Sequence, residues 1–379
     1  MAQLAETLAP PAIQHPGEEA SNEIRRRLAA VEPHSIRTFT PSLAVLARSA
    51  GSYHWTPEGR QLADFTSGVL VMNLGHNPTR WWRRVSELLG LDPSNRQGEF
   101  CQGVTLNAYN ALTEVELLAT EKLLEIMRSQ SGGARCEQVL WAASGSEAIQ
   151  KALWAAMDRR PGENMILSTR YGFHGKKGLA GAVTGSERDA ERDPRVRFIA
   201  FPREECANLR LRRQPLDLAP YQAELERTWD ELGSKICCLI TEPYLGGGGS
   251  YHPQKEYLQL LERFCRERDI VFILDEVQAN FGRTGSLFAY TEYGVEPDVV
   301  VLGKGLGNGV AVSAAVGRAD LFAKMRYGEA SDTWSANPLA SAAVLATLEE
   351  YETGDVLEHA SRLSKVIEAG LLRLTGLDI

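Results

Sequence analysis

The residue best placed for covalent chemistry is Lys304, in the stretch DVVVLGKGLGNGVAVSAAVG spanning 298–317. It follows an apolar run and sits among glycines, where a buried strand would give way to a turn. Two phosphate-loop readings fail on spacing. A P-loop places its lysine directly before Ser or Thr, whereas Gly305 follows Lys304. The G-x-G-x-x-G pattern fails too, because GKGLGNG sets its glycines at every second position. Two readings stay open on this stretch alone. A loop lysine is commonly a solvated charge, but a desolvated one has a lowered pKa and attacks aldehydes. The flanking glycines leave room for a bulky planar group to approach the backbone.

Other reactive groups follow apolar runs in the same way. After VLWAA comes SGSEAIQKALWAAMD, in which Ser144 and Glu147 form an S-x-x-E capping box. Gly145 and Ser146 then lie at a helix N-terminus, where free amides and the helix dipole can hold an anion. The bland alternative is an ordinary N-cap. Glu242 follows ICCLI, and Asp275 and Glu276 follow IVFIL. A carboxylate at the end of an apolar strand is costly to bury without a cation or donors. Either a nearby Arg or Lys meets Asp275, or a cationic ligand does.

The elements that must position these groups are legible as short apolar runs. They are VLWAA, MIL, VRFIA, ICCLI, IVFIL, VVVL and AVSAAVG, mostly separated by helix-like segments such as YLQLLERFCRERD. Apolar strands alternating with helices predict a mostly parallel sheet covered on both faces. Ligands of such sheets sit beyond the carboxyl ends of the strands. Upstream, about the first thirty residues read as a mobile arm or a short helix. GSYHWTPEGRQLADFTSG reads as a hairpin or meander, and the spacing predicts a helix from about Ala108 to Met127.

Composition excludes several classes. The chain has 379 residues, 44% hydrophobic and 24% charged, with a net charge of −8. That charge gives no reason to expect nucleic acid or an anionic membrane as partner. No apolar run is long enough to span a bilayer, and the opening residues do not read as a secretory signal. Six cysteines form no C-x-x-C pair, which points to reduced thiols in a cytoplasmic setting. Seven histidines are scattered without an H-E-x-x-H motif or a Cys/His cluster, so no protein-bound metal is expected.

Taken in order, SGSEA, FHG, EPYLGGGG, DEVQANFGRTG, GKGLGNG and TWSANPLA resemble the class III aminotransferases. These are pyridoxal 5'-phosphate enzymes of the aspartate-aminotransferase fold type. The resemblance runs from about Gly51 through Leu345. It implies an α/β fold with a large domain built on a mostly parallel seven-stranded sheet. A smaller α+β domain would come from the N- and C-terminal segments. The expected divisions are 1–68 for the arm and part of the small domain, 69–328 for the cofactor domain, and 329–379 for the start of the C-terminal segment. Relatives continue past LLRLTGLDI, so that segment is expected to be incomplete.

The resemblance also implies roles. Lys304 would form the imine with the cofactor and, once displaced, move the substrate α-proton. Asp275 would pair with the pyridine nitrogen, Val277 and Phe173 would flank the ring, and Gln278 would approach the phenolic oxygen. Gly145 and Ser146 would hold the phosphate, together with Thr333 reaching across from a second subunit of a homodimer. Glu242 would face the substrate side. Arg283 is divided between a structural role and a functional one, and His174 is expected to pack or hydrogen-bond locally. Trp81 to Arg84 (WWRR) read as surface or subunit contacts. The Gly-rich EPYLGGGG loop is expected to be mobile, and Ala279 and Asn280 to alter only the substrate side.

The reaction expected is transfer of an amino group from an amine or amino acid to a keto acid or aldehyde. The rivals are another reaction of the same cofactor (decarboxylase, racemase, aminomutase or phospho-lyase) and a non-catalytic relative of the fold.

Overall fold

All seven apolar runs form strands of one sheet in the computed structural model, which describes residues 13–36, 38, 40–92, 94, 98–189, 193–212 and 214–374. The start of the expected arm (1–12) and the final 375–379 lie outside them. Three short strands come first: β1 (Arg48–Ala50), β2 (Tyr53–Trp55) and β3 (Gln61–Ala63). They pair antiparallel in the order β1-β2-β3, the expected meander. The large sheet contains β4 (Gln138–Ala142), β5 (Met165–Thr169), β6 (Val196–Ile199), β7 (Ile236–Thr241), β8 (Val271–Asp275), β9 (Val299–Leu302) and β10 (Ser313–Gly317). Its order is β4-β10-β9-β8-β7-β5-β6. Only β10 runs against its neighbours, so β4 and β9 point the same way.

The chain divides into two compact units. One comprises Met1–Val69 with Leu74–Thr79, the other Leu70–Asn73 with Arg80–Ile379. The first holds the meander and the helix Glu19–Val31. The second holds the large sheet and the segment from 329 onward, including the helices Pro338–Thr353 and Val356–Leu374.

Strand residues alternate between two cores, as period-two geometry requires. Phe272, Leu274, Val300 and Leu302 join the core made with helices Glu114–Ser129, Lys255–Glu267 and Pro338–Thr353. Val271, Ile273, Val299 and Val301 face the other way, against Ala148, Ile149, Ala152 and Leu153 of helix Gly145–Asp158. That helix begins as its sequence predicts. Ser144 accepts a hydrogen bond from the Glu147 amide, while the Glu147 carboxylate reaches back to the Ala143 amide.

Two expectations need correction. The helix expected from Ala108 starts at Glu114, because Thr113 takes the extended N-cap conformation and Glu114 and Glu116 fill an acidic first turn. Trp81 is not a surface residue: it is 1% exposed, and its Nε1 donates to Thr347 Oγ1 at 2.9 Å. Its neighbour Trp82 is exposed. Among the described residues no helix is long and apolar enough to cross a membrane, and all six cysteines are free.

Helix Gly145–Asp158 is held on the sheet by its buried face, so truncating that face should be costly. Leu153→Ala should lower stability by about 2–5 kcal/mol, read as a lower denaturant midpoint at unchanged slope.

Candidate active site

The parallel strands deliver their following residues to one edge of the large sheet. Gly145 and Ser146 follow β4, Phe173 and His174 follow β5, and Glu242 follows β7. Asp275 ends β8 with Val277 and Gln278 just after it, and Lys304 follows β9. These residues line one cavity of about 370 Å³, together with Val71 and Ser313. Nine residues were expected at the site, and eight of them meet here. Thr333 does not line this cavity; it is exposed in the turn before helix Pro338–Thr353.

Lys304 is three residues past the last apolar strand position but one, and its backbone is strained. Its φ is 47°, in the left-handed region that costs a non-glycine residue of order 1–3 kcal/mol. The preceding Gly303 is fixed by the Asn280 amide, which donates to its carbonyl at 3.0 Å. A Cβ on Gly303 would lie 2.6 Å from Ser313 Oγ and 3.2 Å from Val277 Cγ1. Glycine is therefore demanded there by close approach. Asn280 is itself buried, with its side-chain bond on the lysine turn.

The Lys304 ammonium points inward. Its Nζ donates to Gln278 Oε1 at 3.4 Å. Burial pushes its pKa down, and the nearby charges of Asp275 and Glu242 partly oppose that shift, while Arg283 adds to it. Arg283 in turn donates to Asn73 Oδ1 at 2.8 Å.

Asp275 is 3% exposed, and both its oxygens are used. Oδ1 accepts from the Val277 amide at 2.9 Å, and Oδ2 is 2.7 Å from His174 Nδ1. His174 is packed in the interior, and its ring supports a carboxylate 101 residues away. Its Nε2 is buried with no hydrogen-bond partner among the described residues. Only the FHG motif hinted at this role, since a histidine's partner across a sheet leaves no trace in local spacing.

Glu242 is held by two amides, Phe173 N at 2.8 Å and Gly246 N at 3.1 Å. Burial is the largest influence on it and, with the neighbouring Asp275 charge, raises its pKa to about 7 despite the His174 charge and both amides. Glu276 points away from this group. Fully buried, it accepts from the Ala289 and Tyr290 amides, and burial raises its pKa to about 8.

The loop Gly246–Gly249 runs close against residues of the site. A Cβ on Gly246 would lie 2.4 Å from the Gln278 side chain, and one on Gly247 would lie 2.9 Å from Phe173 Cβ. The glycines allow the loop to cover Gln278 and Phe173 at backbone distance.

These residues fit pyridoxal phosphate. Gly145 and Ser146 open a helix of 14 residues whose first amides lack intrahelical acceptors, a suitable seat for a phosphate. Between that helix end and Lys304, the Val277 side chain and Phe173 border the cavity, with the buried Asp275 carboxylate among its lining. An anion buried this deeply suits a cationic ring nitrogen.

Comparison with known proteins agrees. The model of the family described as "Aminotransferase class-III" matches residues 36–378. An acetylornithine aminotransferase of Caldanaerobacter subterraneus subsp. tengcongensis is 28% identical, over 88% of this chain and 77% of its own. A 5-aminovalerate aminotransferase of Pseudomonas aeruginosa is 30% identical, over 92% and 77%. In fold, the chain resembles an S-selective transaminase from Bacillus megaterium, with a TM-score of 0.77 and 24% identity over 93% and 77% of the two chains. With the match extending across both units, the chain belongs to the class III aminotransferases and is a pyridoxal 5'-phosphate-dependent transaminase.

Proposed function

We propose that this site moves the amino group of an amino acid or other primary amine to a keto acid or aldehyde in two half-reactions. The observation that carries the proposal is a desolvated Lys304 amine in one cavity with the buried carboxylates of Asp275 and Glu242. Bound pyridoxal phosphate supplies an aldehyde that captures amines and a ring that accepts the electrons released at the substrate carbon.

The remaining work belongs to the protein. Lys304 Nζ would hold the cofactor and is placed to take the substrate α-proton and return it. Its lowered pKa keeps a larger share of the amine unprotonated and able to accept that proton. Asp275 would favour the protonated ring nitrogen, and His174 and the Val277 amide keep its carboxylate aligned. Val277 and Phe173 would flank the ring of the bound cofactor, Gln278 would meet its phenolic oxygen, and Gly145 and Ser146 would hold its phosphate. Glu242 bounds the substrate side, where its titration near neutrality sets the local charge. Thr333, exposed on its own subunit, completes the phosphate site of a neighbouring one, so the working unit is a homodimer. Cysteines left free and mostly buried accord with a cytoplasmic setting.

Lys304→Ala should lower turnover by at least about 10²–10⁴-fold and abolish the visible absorption of the purified holo-protein. Near-native turnover in that variant would exclude the assigned role. Subunit exchange tests Thr333: mixing Lys304→Ala with Thr333→Ala chains should regenerate an intact site and raise activity above either parent. No gain on mixing would mean that Thr333 does not serve a neighbour's site.

Glu242 gives a pH signature. Its native value of about 7 lies above the unfolded value of about 4.3. Between those values the native state binds more protons, so the stability of cofactor-free protein falls as pH rises through that window. Glu242→Gln should reduce this slope in denaturant unfolding, and Glu276 should supply the remainder. An unchanged slope would place the shifted titration elsewhere.

A further inference from the structure

Two histidines and an aspartate of the N-terminal unit converge on one point. His54 lies on β2, Asp64 directly follows β3, and His76 forms a backbone bridge with Gly51. His54 Nε2 is 3.4 Å and His76 Nε2 is 2.7 Å from the same oxygen, Asp64 Oδ2. One ligand atom from each residue fits within a span of 4.8 Å. The three side chains are only 11%, 5% and 9% exposed for His54, Asp64 and His76. The imidazole rings approach to 4.4 Å between centroids but are tilted by 58°, so their Nε2 atoms converge without stacking.

The far side of this cluster is also arranged. Ser49 Oγ is 2.7 Å from His54 Nδ1. Asp64 Oδ1 accepts from the Thr66 amide at 2.7 Å, the Thr66 hydroxyl at 2.8 Å and the Ser67 amide at 3.0 Å. Those bonds occupy His54 Nδ1 and Asp64 Oδ1 and leave Asp64 Oδ2 and both Nε2 atoms facing one another. Partners of this kind fix the ring tautomer and carboxylate orientation of metal ligands. None of the three residues is among those lining the cavity at Lys304, so the transaminase reaction leaves them without an assigned purpose.

From this geometry we propose that His54, Asp64 and His76 bind a zinc ion, with water as the fourth ligand. Zinc bonds of about 2.0–2.2 Å place tetrahedral ligand atoms about 3.4 Å apart. The His54–Asp64 separation already has that value. His76 must withdraw from its hydrogen bond by under about 1 Å to make room for the ion. Two imidazoles with one carboxylate suit zinc, whereas magnesium and calcium favour oxygen donors. The three ligands come from β2, from the residue that follows its neighbour β3, and from the segment bridged to Gly51. The ion would therefore tie together a small antiparallel sheet that has few large buried side chains of its own.

The test is zinc retention by the holo-protein. After treatment with a chelator and dialysis against zinc, elemental analysis should find one ion per chain in the wild type. His54→Ala and His76→Ala should fall to background while keeping the visible absorption of the bound cofactor. His54→Phe retains a ring in the packing and should also lose zinc, which separates ligand loss from misfolding. Ser49→Ala should bind about 10- to 100-fold more weakly. The wild type should melt at a higher temperature with zinc than without it, and His54→Phe should not respond. Equal zinc content in wild type and His54→Phe, or none in the wild type, would overturn the proposal and leave the cluster as a hydrogen-bonded clasp.

Discussion

Charge brought to the end of an apolar strand governs this structure. Strands β7, β8 and β9 are buried along their whole length, yet each delivers an ionisable side chain to the same edge. Glu242 and Asp275 would be costly there without donors, and each has two: Phe173 and Gly246 amides for one, His174 and the Val277 amide for the other. Lys304 brings the opposite charge, and its strained backbone is held by neighbours such as Asn280. The arrangement withdraws the carboxylates from solvent without leaving them unpartnered.

The same edge explains the glycines. Backbone must pass close to Gln278, Phe173 and Val277, and side chains at Gly246, Gly247 or Gly303 would displace them. Those glycines are points of close approach between backbone and site side chains. Asn280 is a comparable case. Its buried side-chain amide donates to the Gly303 carbonyl, at the turn that presents the lysine. Catalytic geometry here depends on residues that never touch the cavity.

Much of this was legible beforehand. Each of the seven apolar runs became a strand, because a strand buried on both faces must be apolar at every position. The capping box set the start of helix Gly145–Asp158, since both of its bonds are local. Eight of the nine expected site residues share one cavity for the same reason: strand-end motifs report their own position once the strands are parallel. Long-range closure escaped such reading. Trp81 looked like part of an exposed WWRR cluster until Thr347, 266 residues away, supplied its hydrogen-bond partner.

The sequence by itself determined the strand pattern, the cap and the order of the chemical motifs, all of which depend on neighbours within a few residues. Tertiary structure decided what meets across the sheet. It joined His174 to Asp275, turned Asn280 toward Gly303, and left Thr333 exposed outside the cavity of its own chain. It also gathered His54, Asp64 and His76, whose spacing of ten and twelve residues matches no short metal motif. Sequence spacing records only separation along the chain. An antiparallel meander brings residues at such separations onto one face, and only the folded register shows which side chains then point at one another.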